Sequence, residues 1–327
     1  MKHLVLSLLM CLAVGSGDSH AAEPVRIELR PLKSVTVTEE QFLRGAKDGP
    51  PVTLAVELRV PTAGTARLPA MILLHGSAGV QAGGSDRWAR ELNDLGIATL
   101  IVDSFTERGI TSTIDAQDQL SEVAVVIDAY RALEMLAKHP RIDPARIGLL
   151  GASRGAVSTL YASMKRFQRM YAPADAQFAV YLSLYPPCYK AYIGETDVAD
   201  RPIRLFNGTA DEIAPIRQCL AYVKRLRDAG KDAQLTEYPG AFHGFDNPDG
   251  AGPARVKLGG SDAPRRGCDL YEQPGGRIMN RETSLPFTRD DDCLKGVGTV
   301  LYDARAHAKL IEDVRAVVQR VFKLSPK

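Results

Sequence analysis

The sequence has no Cys-x-x-Cys and no His-x-x-x-His spacing. Short stretches usually hold zinc through such spacings, so no metal site is expected. It has no block of basic residues. Lys and Arg number 41 against 39 Asp and Glu, a formal charge of +2, so nothing points to nucleic acid as a partner. No internal repeat is visible, which sets repeat architectures aside. After the N-terminal run no apolar stretch is long enough to span a bilayer, so no membrane anchor is expected.

What remains is an ordinary globular composition. A chain of 327 residues suits one large core, or at most two domains. The first residues are Met-Lys-His, followed by an apolar run from Leu4 to Val14 and a small, polar exit ending Ser19-His20-Ala21-Ala22. A positive start, a short apolar centre and small residues at the exit are the marks of a secretory signal peptide. Cleavage is expected after Ala21, leaving residues 22–327 as a periplasmic or secreted protein. Cys11 follows Met10, a poor match to a lipoprotein site, so no lipid anchor is expected either.

Five cysteines less Cys11 leave Cys188, Cys219, Cys268 and Cys293. An even number in an exported protein points to two disulfides, with three possible connectivities. Pairing in chain order is favoured. Cys268–Cys293 would staple one Pro/Gly-rich loop, and Cys188–Cys219 would join the loop after one strand to the helix after the next.

The centre of the chain is Arg146 to Leu160. An apolar run, Ile147 to Leu150, leads into Gly151-Ala152-Ser153-Arg154-Gly155, and small and apolar residues at helical spacing follow. Strand, sharp turn and helix around Gly-x-Ser-x-Gly form the pattern of a nucleophile elbow. Two glycines let strand and helix approach closely, and the helix N-terminus lies where an oxyanion would form.

Upstream, alternating residues over Pro24 to Leu32 and Val52 to Val60 predict antiparallel edge strands. Ala70 to Leu74 predicts a buried strand opening into His75-Gly76-Ser77-Ala78-Gly79. Helices are expected over Ser85 to Leu95, Asp118 to Lys138, Pro215 to Leu226 and Tyr302 to Phe322. Further strands are expected over Ile97 to Val102, Phe178 to Leu184, Ile203 to Phe206 and Gln234 to Tyr238. Strand and helix alternate from residue 70 onward, which predicts parallel strands with both sheet faces covered. Residues 246–298 are rich in Gly, Pro and Asp and too long for a plain connection, so they read as a disulfide-stapled insertion in a single domain.

In such sheets, ligands bind beyond the carboxyl ends of the strands. Ser153, Asp211, His243 and the Gly76-Ser77 loop all fall at predicted strand ends of that kind. A serine hydroxyl needs a base. Only His243 and His307 follow Ser153, and His307 sits in a predicted helix with packing neighbours, so His243 is the expected base. Asp211 gives the order Ser, Asp, His used by this architecture. Its neighbour Glu212 is the main alternative, with Asp246 a weaker one, and a helix cap is the structural explanation of Asp211. The backbone N–H of Arg154 and of Ser77, or of Ala78, would form the oxyanion hole. The Arg154 guanidinium is read as structural rather than substrate-binding, and His75 as a packing or hydrogen-bonding residue.

These segments, with Tyr238-Pro239-Gly240-Ala241-Phe242-His243, together resemble the dienelactone hydrolase family of α/β-hydrolases over roughly residues 50 to 325. The resemblance implies an α/β-hydrolase fold, a mostly parallel doubly wound sheet with antiparallel N-terminal strands. It also implies hydrolysis of a small-molecule ester or lactone through an acyl-enzyme, without a cofactor. The better-known members carry cysteine where this chain has Ser153, which departs from dienelactone itself as substrate. The leader and the cysteine pairs suggest an exported branch. A prolyl-oligopeptidase-like peptidase and a non-catalytic binding protein are the alternatives. The former usually has a large N-terminal propeller, and here only about 50 residues precede the core.

Overall fold

The structure, a computed structural model, describes residues 24–249, 254–258, 261, 267–288 and 291–324. The expected leader, residues 1–21, and parts of the 246–298 segment lie outside the described residues.

The first nine strands among the described residues are β1 (Val25–Val35), β2 (Pro51–Pro61), β3 (Leu68–Leu74), β4 (Ala98–Val102), β5 (Ile142–Ala152), β6 (Val180–Leu184), β7 (Lys190–Ala191), β8 (Ile203–Gly208) and β9 (Ala233–Tyr238). All but β7 form one eight-stranded sheet in the order β1-β2-β4-β3-β5-β6-β8-β9. β1 pairs antiparallel with β2, and β2 with β4; every other pairing in the sheet is parallel. The chain is therefore a mixed, mostly parallel α/β sheet. β2 lies one strand in from the edge, because β4 takes its other side; an alternating pattern alone does not reveal that neighbour.

Helices cover both faces. They are α1 (Glu39–Leu43), α2 (Arg87–Asn93), α3 (Glu122–Ala137), α4 (Arg154–Ala162), α5 (Lys165–Tyr171), α6 (Ile216–Asp228) and α7 (Ala304–Phe322). Successive strand residues point to opposite faces. On β3, Ala70, Ile72 and Leu74 join a core with α3, α4 and α6, whereas Met71 and Leu73 join a second core with α2 and α7. This double burial is why β3 reads as a continuous apolar run rather than an alternating one.

The helices show the two patterns that burial demands. α7 covers an outer face and buries His307, Leu310, Val314, Val318 and Phe322, a stripe at three- and four-residue spacing. Asp303 caps its start by accepting from the Arg305 and Ala306 amides. α3 is buried nearly all round, from Val123 to Leu136. It begins at Glu122, later than its apolar period suggests. Gln117–Gln119 form a 3₁₀ turn and Leu120 is extended (φ −145°, ψ 134°), which leaves Ser121 at the cap position. The short helices α1 and α5 have no clear sequence period and were not expected.

Beyond β9 the chain adds β10 (Ala254–Leu258), β11 (Leu270–Gln273), β12 (Arg277–Asn280) and β13 (Gly296–Val300). β10 pairs antiparallel with β13. β11 pairs with β12 and, in parallel, with β7, which ties this segment to the body. Both expected cysteine pairs are bonded, Cys188–Cys219 with Cα atoms 5.0 Å apart and Cys268–Cys293 with 4.8 Å. Among the described residues no helix is long and apolar enough to cross a membrane.

The Cys188–Cys219 bridge fastens the segment after β6 to α6 and closes a loop with a sequence separation of 31. Constraining an unfolded loop of that size stabilises by about 3.7 kcal/mol. Replacing both cysteines by alanine should lower the thermal midpoint by several degrees; an unchanged midpoint would contradict this role.

Candidate active site

The site grows from the turn between β5 and α4. Ser153 has φ 51° and ψ −114°, a backbone region that side chains other than glycine rarely occupy. The turn is this sharp because strand, helix and neighbouring strand touch through bare backbone. A Cβ on Gly151 would overlap the Gly155 carbonyl, and a Cβ on Gly155 would overlap that of Leu74, at the end of β3. The Ser153 N–H donates to the Leu184 carbonyl at 2.9 Å, which pins the turn to the end of β6.

Two further loops meet this turn. Backbone bonds join the loop after β8 to the loop after β9: the Thr209 amide donates to Tyr238 and the Ala210 amide to Ala241, each at 3.0 Å. His243 is thereby brought to Ser153, with Nε2 at 2.9 Å from Oγ. Its Nδ1 lies 2.7 Å from Asp211 Oδ2. An ionised carboxylate only accepts, so Nδ1 carries the hydrogen and Nε2 is left to accept from the serine hydroxyl. The other oxygen of Asp211 accepts from the Ile213 amide at 2.8 Å and the Ala214 amide at 2.7 Å. Asp211 therefore caps the turn into α6 and holds His243 at once. Both side chains are buried.

The alternative residues have other partners. Glu212 accepts from the Thr299 amide and hydroxyl at 2.9 and 2.8 Å, away from His243. Asp246 accepts from Trp88 Nε1 and from the Tyr185 hydroxyl, each at 2.8 Å. Tyr185 in turn packs edge-on against His243, ring centroids 4.8 Å apart. Burial, reinforced by the Asp246 carboxylate, holds the Tyr185 phenol well above its ordinary pKa, so it remains a donor. His307 is buried on α7, 3.2 Å from the Tyr302 hydroxyl.

The glycine loop lies against the serine. A Cβ built on Gly76 would stand 3.5 Å from Ser153 Cβ. His75 shapes this loop. Its Nε2 accepts from the Ser104 amide at 3.1 Å, so Nδ1 donates to the Gly76 carbonyl at 2.8 Å. Burial depresses its pKa below the usual imidazole value, and the ring stays neutral.

Ser77 and Arg154 share a partner that the sequence does not mark. The Gln117 amide nitrogen donates to Ser77 Oγ at 3.0 Å, while Gln117 Oε1 accepts from Arg154 Nη1 at 2.9 Å. Arg154 Nη1 also lies 3.6 Å from Glu122 Oε1. The guanidinium is thus engaged with its own protein, although Arg154 borders the cavity. Gln117 sits in the 3₁₀ turn that periodicity assigns to the edge of a helix, so nothing in its local sequence distinguishes it.

A cavity of about 540 Å³ opens above these residues, bordered by Ser77, Gln117, Ser153, Arg154, Tyr185 and His243 among others. That volume lies in the range of small-molecule sites. Among the described residues no group of three or more His, Cys, Asp or Glu side chains is placed to hold a metal ion. The arrangement places a hydroxyl in a hydrogen bond with an imidazole, itself held by a carboxylate, beside a partly apolar cavity.

Comparisons with known proteins bear on the family and the fold. The model of the dienelactone hydrolase family matches residues 56–265. The fold is similar to that of apo esterase 2 from Thermogutta terrifontis, with a TM-score of 0.56, 17% identity, and coverage of 92% of this chain and 96% of that one. It is also similar to a dienelactone hydrolase-like promiscuous phosphotriesterase from metagenomic libraries, with a TM-score of 0.55, 16% identity, and coverage of 91% and 98%. A search of curated proteins finds no match.

The strained turn makes a stability prediction. Glycine relieves an unfavourable φ of about 1–3 kcal/mol, against an entropic cost of about 0.5–1 kcal/mol. Neither Ser153→Gly nor Ser153→Ala retains the hydroxyl. Ser153→Gly should therefore melt above Ser153→Ala, and the reverse order in a thermal melt would show that the turn holds no strain.

Proposed function

The chain belongs to the dienelactone hydrolase family and is a carboxylic ester hydrolase, and we propose that it is exported and works through an acyl-enzyme on Ser153. The observation that carries this reading is the hydrogen-bonded chain Ser153–His243–Asp211 at the floor of the cavity.

In the proposed mechanism His243 Nε2 takes the hydroxyl proton as Ser153 Oγ attacks the ester carbonyl. Asp211 stabilises the imidazolium that forms and fixes the ring's orientation. The tetrahedral oxyanion rests on the backbone N–H groups of Arg154, at the start of α4, and of Ser77, in the glycine loop. The imidazolium returns its proton to the departing alkoxide, leaving Ser153 acylated. A water then gives its proton to His243 as its oxygen attacks the acyl carbon. The acid departs as Ser153 recovers its proton.

Small-molecule esters or lactones are the substrates in this reading. Two disulfides support export, because such bonds persist in oxidising compartments. The N-terminal residues that would direct it are those read as a signal peptide from Met1 to Ala21.

A fluorophosphonate reagent should label the wild-type protein at Ser153 and leave Ser153→Ala unlabelled. Label elsewhere, or turnover of an activated ester by Ser153→Ala, would remove Ser153 from the mechanism. Asp211→Asn should lower kcat about 10⁴-fold, because an amide no longer fixes the right tautomer. A loss of less than tenfold would return the carboxylate role to another residue.

A further inference from the structure

One wall of the cavity comes from outside the main sheet. The β10–β13 ribbon pairs Val256 with Gly298, and its strands border the active-site cavity. Along β10 the side chains alternate. Ala254, Val256 and Leu258 line the cavity, whereas Arg255 and Lys257 are exposed.

The ribbon is seated on the two loops that carry His243 and Asp211. Val300 forms a parallel bridge with His243, and the Leu301 amide donates to the His243 carbonyl at 3.3 Å. On the other loop, Glu212 receives the amide and hydroxyl of Thr299 and, at 3.3 Å, a guanidinium N–H of Arg255. The Ile213 side chain fills the space beside Gly298. Asp211, Glu212 and Ile213 are consecutive, so one short loop orients the imidazole and fixes the ribbon.

The position of the ribbon has a chemical meaning that rests on the serine mechanism proposed above. His243 must deliver a proton to the oxygen of the departing alcohol, so the alcohol part of the ester lies on the imidazole side of Ser153. Val256 and Val300 of the ribbon and Ile213, all apolar, lie on that side, and Lys295, just before β13, also lines the cavity. The polar lining contributed by Gln117, Glu122 and Arg154 belongs with the Ser77 loop.

We propose that the β10–β13 ribbon binds the alcohol portion of the substrate, and that the enzyme prefers esters of bulky apolar alcohols and phenols, with Val256 as a specificity-determining residue. Burying a ring against this wall removes apolar surface from water on both sides. A polar or charged group at position 256 opposes that contact without touching Ser153, His243 or Asp211.

The test compares three esters: 1-naphthyl acetate, 2,2,2-trifluoroethyl acetate and 2,2,2-trifluoroethyl 1-naphthoate. The first has a large alcohol part, the second is small throughout, and the third has a large acyl part. kcat/KM is measured for wild type, Val256→Asp, Val256→Thr and Lys257→Asp. Ratios to trifluoroethyl acetate, compared with wild type, cancel intrinsic reactivity. Val256→Asp should lower the naphthyl acetate ratio by about tenfold or more and leave the naphthoate ratio unchanged. Val256→Thr keeps the side-chain shape and should move the same ratio in the same direction by about threefold, which preserves the test if the aspartate variant does not fold. Lys257→Asp, on the outward face of the same strand, should leave both ratios as in wild type.

Equal loss on all three esters, no loss on any, or loss confined to the naphthoate would overturn the assignment. Wild-type turnover of trifluoroethyl acetate bears on the esterase mechanism alone. Its absence, together with absence of fluorophosphonate label, would sink that mechanism and this assignment with it.

Discussion

The constraint on which the site depends is contact between bare backbones. β5, α4 and the end of β3 meet where Gly151, Gly155 and the Leu74 carbonyl leave no room for another carbon. That contact lets the chain reverse within one residue and places Ser153 at the end of a central strand with a positive φ. The strain is sustained by its surroundings. Leu184 receives the serine amide from one side, and the His75–Gly76 loop closes from the other. The hydroxyl is thus held between a strand and a helix, with His243 Nε2 at 2.9 Å.

The other two groups come from loops that meet this rim. Asp211 and His243 belong to loops, but the loops are joined by backbone bonds and by contact with α6 and the ribbon. Buried partners surround the imidazole: Asp211 at one nitrogen, the Tyr185 ring at its edge, and Asp246 behind that tyrosine. Asp211, Glu212 and Asp246 each have their own hydrogen-bond donors. That division allows the three carboxylates to lie in neighbouring loops without competing for the same partner.

Much of this was legible in the residues. Strands buried on both faces leave apolar runs that need no tertiary information, and β3, β4, β6 and β8 read that way. The Gly-x-Ser-x-Gly turn announces itself because its steric demand is local. Other parts depend on distant contacts. Asp211 and Glu212 carry the same charge, and only the direction of the backbone leaving β8 decides which one faces His243. β10 and β13 are short, and the inward role of Val256 exists only once Glu212 seats the ribbon. Gln117 carries no sequence signal because its function lies in joining Ser77 to Arg154, which are far apart in the chain. α3 starts late because the residues before it turn toward the cavity instead of continuing the helical period.

The bond between Trp88 and Asp246 has a practical side. The protein has a single tryptophan, and its indole is buried with its N–H donated to the carboxylate that also holds Tyr185 against His243. Its emission therefore comes from one site only, two hydrogen bonds and a ring contact away from the imidazole. The molecule carries a built-in optical probe, free of background from any other indole, whose spectrum follows the packing around His243.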